Sequence, residues 1–95
     1  MAKFDIGETV ICSCQVKDDD GNYKDPNDDY THTTITIIDK NSVKKIADVV
    51  MTRDSIGKYH YDCQTTSYVD GKYRAEYKAT DGSRITIEKE TFELE

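Results

Sequence analysis

The sequence predicts an all-β sandwich of about seven antiparallel strands, in one domain spanning residues 1–95. Three observations predict it. Apolar and polar residues alternate with period two over several short stretches, as half-buried strands require. The apolar residues are of the strand-forming kind, with one Leu against nine Ile, six Val and eleven Thr. Turn residues (Gly, Asp, Asn, Ser) recur every ten or so residues. Ninety-five residues leave room for a single small domain.

Phe4-Asp5-Ile6-Gly7 reads as a short leading strand and a kink. In Glu8–Lys17, Val10, Cys12, Cys14 and Val16 share one face, and only Ile11 spoils the alternation. Residues 18–29 read as a loop, with clustered Asp and Asn, Gly21 and the single proline, Pro26. Tyr30–Asp39 resumes the pattern, with Thr33, Ile35 and Ile37 opposite Thr34, Thr36 and Ile38. Val43–Thr52 has a mixed pattern that suits an edge or bulged strand better than a helix, because of its β-branched residues.

After the turn Asp54–Gly57, the strand Lys58–Thr66 points Tyr59, Tyr61 and Cys63 inward. Lys72–Thr80 alternates most cleanly, with Tyr73, Ala75, Tyr77 and Ala79 inward. Asp81-Gly82 signals a two-residue hairpin. In Ser83–Glu95, Ile85 and Ile87 fall on one parity and Phe92 and Leu94 on the other. A strand that keeps one face buried changes parity through a β-bulge, which places one near Glu88–Thr91. The predicted core is Val10, Val16, Ile35, Ile37, Tyr59, Tyr61, Tyr73, Tyr77, Ile85 and Phe92.

Charge and composition exclude several functions. A net charge of −6 argues against nucleic acid and against anchoring on acidic lipid. Leu, Ile, Val and Phe total 18 residues, few enough to suggest disorder in so charged a chain, but seven Tyr and the alternation override that suggestion. The N-terminus lacks the apolar core of a signal peptide, and no apolar run approaches the roughly 18–20 residues of a membrane span. The chain is therefore expected either to remain where it is made or to be a module cut from a larger protein. Three cysteines, Cys12, Cys14 and Cys63, are read as reduced and buried, with a Cys14–Cys63 or Cys12–Cys63 disulfide as the alternative.

Candidate chemistry is sparse. Asp18, Asp20 and Asn22, with Asp29 eleven residues after Asp18, have the spacing of calcium ligands, but an EF-hand needs Gly where Tyr23 stands, so a solvated acidic loop is the preferred reading of Asp18–Asp29. His60 and Cys63 point to opposite faces, which disfavours zinc, and His32 and His60 read as surface residues. No nucleophile with an adjacent base, and no phosphate loop, can be found. Four tyrosines are assigned to the core, leaving Tyr23, Tyr30 and Tyr68 on loops. Of these, Tyr23 and Tyr30 on the long loop are the candidate partner-binding residues.

Asp70-Gly71-Lys72-Tyr73-Arg74-Ala75 resembles the tyrosine-corner segment that opens the sixth strand of immunoglobulin-like domains. Ala75 stands where antibody domains carry a disulfide cysteine, and the chain has no Trp, so the likeness is to the architecture alone. A narrower resemblance rests on four segments: Asp5–Val10, Asp25-Pro26, Thr34–Asp39 and Met51–Asp62. Together they resemble the small immunoglobulin-like proteins encoded among the structural genes of tailed bacteriophages, and also modules of microbial surface proteins. The resemblance implies a virion component, such as a capsid decoration, head–tail or tail accessory protein. It would be assembled in the host cytoplasm, in multiple copies, on a capsid or tail protein. It implies no enzyme activity, cofactor or metal. The alternative is a cell-surface or adhesin module that binds carbohydrate.

Overall fold

A computed structural model describes residues 2–26 and 31–95. Eight strands form among them: β1 (Ala2–Phe4), β2 (Thr9–Gln15), β3 (Thr33–Ile38), β4 (Lys44–Val50), β5 (Thr52–Ser55), β6 (Lys58–Gln64), β7 (Gly71–Asp81) and β8 (Arg84–Leu94). They build a five-stranded sheet in the order β1-β8-β7-β3-β4 and a three-stranded sheet in the order β2-β6-β5. This all-β, two-sheet arrangement is compatible with a β-sandwich. Every pairing is antiparallel except β1 with β8, which is parallel.

The buried core takes side chains from both sheets. Ile35, Ile37, Tyr73, Ala75, Tyr77, Phe92 and Leu94 come from the larger sheet, and Val10, Cys12, Tyr59 and Cys63 from the smaller. Each set keeps one parity along its strand, so the period-two pattern is cashed as one buried face per sheet. At one end the aromatic rings stack: Tyr68 on Tyr73 at 5.3 Å, Tyr73 on Phe92 at 5.5 Å, and Phe4 edge-on to Phe92 at 6.3 Å. Val16 and Tyr61 are only partly buried against this core.

Three departures from the sequence reading have clear causes. First, Val43–Thr52 is not one strand. The chain leaves the larger sheet after Val50, buries Met51 and enters the smaller sheet at Thr52. The mixed pattern reflects that switch, together with irregular β3–β4 pairing in which Asp48 sits at φ 49°. Second, β8 carries no bulge. Its register with β7 is unbroken from Gly71↔Leu94 to Asp81↔Arg84. Ile85 is therefore not core: Ile85 and Ile87 lie on the outer parity and are 58% and 55% exposed. The inner parity is filled there by Thr86, Glu88 and Glu90, and Glu90 accepts a 2.9 Å bond from the Tyr77 hydroxyl. Third, the β7–β8 loop is Gly82-Ser83, with Gly82 at φ 63°. That left-handed position is what Gly supplies at the first loop residue of a II′ hairpin.

Candidate interaction surface

The connection after β2 folds back as a tight excursion. Lys17 and Tyr23 form an isolated antiparallel bridge. Between them the Asp18 carboxylate accepts from the amides of Asp20 and Asn22, each at 3.0 Å. Asx geometry of this kind suits a reversing chain. It also occupies one oxygen that the calcium reading would have needed. No cluster of three metal-ligating groups occurs among the described residues. Asp29, which that reading also used, lies outside the described residues.

Asp25 anchors the loop to the sandwich. Its carboxylate accepts from the Gly57 amide at 3.0 Å, the Tyr59 hydroxyl at 2.7 Å and the Arg53 guanidinium at 3.0 Å. Burial pushes its pKa up, but the Gly57, Tyr59 and Arg53 donors outweigh burial and hold it below the ordinary carboxylate value. Gly57, at φ 70°, makes the close fit possible. A Cβ there would lie 2.5 Å from the Val16 carbonyl oxygen and 2.8 Å from the Lys24 nitrogen.

This anchor sets Tyr23 on the surface, 41% exposed. The ammonium groups of Lys17 and Lys58 lie 5.1 and 4.8 Å from its ring centroid. Tyr30, the other expected partner-binding residue, lies outside the described residues. Tyr68 is not a free loop residue: it is packed against the core and accepts a 3.6 Å contact from the Cys63 thiol.

The remaining groups singled out from the sequence are dispersed. The three cysteines are unpaired, with Cys12 and Cys63 buried and Cys14 half-buried. Burial chiefly raises all three thiol pKa values, Cys12 to about 12 and Cys14 to about 11, so they stay protonated near neutrality. His60 is within 2.7 Å of the Asp54 carboxylate on the smaller sheet, whereas His32 neighbours Thr31 before β3.

Two strand edges bound the open side of the molecule. Among the described residues, β2 pairs only with β6, and β8 pairs with β1 only at Phe92–Leu94. Between these edges is a cleft of about 690 Å³ lined by Cys14, Thr33, Tyr59, Tyr77, Thr86 and Glu88 among others. Thr33 is buried, and its hydroxyl has no hydrogen-bond partner among the described residues. Ile11 on β2 and Ile85 and Ile87 on β8 are exposed near the two edges. Exposed edge strands were expected from the sequence as contacts, but not that β2 and β8 would supply them, and Ile85 was assigned to the core and Ile11 read only as an interruption. The alternate parity of Ile85 and Ile87 was the available signal. No helix among the described residues is long and apolar enough to cross a membrane.

No family model, curated protein or solved structure matches the chain.

Proposed function

We propose that the chain is an immunoglobulin-like sandwich serving as a non-enzymatic component of a tailed-phage particle. In this reading it is assembled in the host cytoplasm and held in multiple copies on a capsid or tail protein. The strand order supports the architectural half: β1-β8-β7-β3-β4 facing β2-β6-β5. So does Tyr73, whose hydroxyl donates a 2.6 Å bond to the carbonyl of Val69 four residues upstream, at the corner leading into β7. Immunoglobulin-like domains place a tyrosine and its bond at this same corner.

The observation that carries the functional half is the pair of partly bare strand edges, β2 and β8, with Ile11, Ile85 and Ile87 exposed on the strands that carry them. An unpaired edge offers backbone donors and acceptors to another chain, and neighbouring apolar side chains add area to be buried. Tyr23, held by the Asp25 anchor below it, adds an aromatic contact. The protonated thiols support a binding role over nucleophilic chemistry.

The test is add-back. Particles of the phage carrying the gene would be prepared without this product, then mixed with the purified chain and sedimented. Saturable co-sedimentation, weakened by Tyr23→Ala, is expected. Failure to bind the particle, or selective binding to a cell-surface glycan, would overturn the virion reading.

A further inference from the structure

We propose that β8 pairs with β8 of a second copy, antiparallel about a twofold axis at Thr86, joining two five-stranded sheets into one. This inference does not depend on the virion reading. β8 is paired with β7 along its whole length, from Arg84 to Leu94, whereas β1 covers only Phe92–Leu94 on its other side. Arg84–Thr91 is therefore unpaired along that side among the described residues, and every residue in it is exposed. The edge is neither bulged nor interrupted by proline, two of the usual devices that block pairing.

The edge is self-complementary in one register. With Thr86 opposite Thr86 of the second copy, Ile85 faces Ile87 and Ile87 faces Ile85. Four isoleucines then adjoin on the outer face. Arg84 faces Glu88 on the other face, twice by symmetry. Glu88 has no ion-pair partner among the described residues. Arg84 holds Asp19 at 3.2 Å through side chains that are mostly exposed, a pair that exchanges at little cost. Lys89 of the second copy arrives opposite Ser83, beside that Asp19 carboxylate.

The two registers on the β1 side are less favourable. An axis at Glu88 sets two carboxylates against each other, with like charges directly opposed. An axis at Ile87 brings Gly82 of the second copy opposite Phe92, where β1 already lies. The Thr86 axis brings Gly82 opposite Glu90, two residues short of β1, so the hairpin ends before it collides. The length of the bare edge and its charges thus both favour the Thr86 axis over these two.

Sedimentation of the wild type and two charge reversals tests this. Wild type should self-associate with rising concentration. Arg84→Glu alone and Glu88→Lys alone place like charges in both contacts, and each should weaken association at least about tenfold. An equimolar mixture of the two variants pairs opposite charges at both contacts and should restore association. Amide exchange at Ile85 and Ile87 of the wild type, a readout that needs no variant, should slow as concentration rises. A wild type that stays monomeric to about 1 mM, single variants that associate as tightly as wild type, a mixture that fails to associate, or exchange at Ile85 and Ile87 that ignores concentration would each overturn the proposal.

Discussion

At Asp25 one carboxylate joins the long loop to the Gly57 turn, to Tyr59 on β6 and to Arg53 on β5. Removing it as Asp25→Ala leaves the Tyr59 hydroxyl and the Gly57 amide without their acceptor. Chemical denaturation should show a loss of about 1–3 kcal/mol. The sign of its pH dependence follows from the lowered pKa. A carboxylate more acidic in the folded chain stabilises the fold at pH above its unfolded value, near 3.9, and loses that contribution as pH falls through the folded value. The stability gap between wild type and Asp25→Asn should therefore shrink as pH is lowered from about 5 to about 2. Gly57 is sensitive for a steric reason. Gly57→Ala forces a left-handed conformation and drives a methyl group against backbone atoms of Val16 and Lys24. A loss of more than about 2 kcal/mol is expected in the same assay.

At the scale of elements, β2 and β6 bring Cys12 and Cys63 inward on facing parities, while Cys14 lies 3.8 Å from the Met51 sulfur. Their raised pKa values and burial predict slow reaction with a thiol reagent in the native protein, and three reactive thiols on denaturation without reductant. A single thiol after denaturation would establish a disulfide instead. The strands that bury one face, β2, β6 and β7, were legible in the sequence because alternation alone places Val10, Tyr59, Tyr73 and Tyr77. β8 was misread because its outer face holds Ile85 and Ile87 while its inner face holds Glu88 and Glu90, so hydrophobicity there does not track burial. The division of β4 from β5 was illegible for a different reason. A sheet switch at Met51 depends on which neighbours each half finds, and period-two patterning carries no such information. Asp25 was hidden too, since its three donors come from residues 28 to 34 positions away.

At the scale of the whole molecule, a chain with a net charge of −6 has free copies that repel weakly, yet each copy offers bare edges and outward isoleucines to a partner. Weak contacts of this kind become durable when repeated over a lattice. Add-back sedimentation tests whether the chain can bind a particle; occupancy of the native particle is the more direct question. For the proposed virion role, the decisive measurement is quantitative mass spectrometry of the purified phage particles that the role assigns to this chain, with the major capsid protein as the internal standard. The proposed role predicts the chain at a fixed multiple-copy ratio to a capsid or tail protein, retained through washing at high salt. Its absence from the particle would contradict that role.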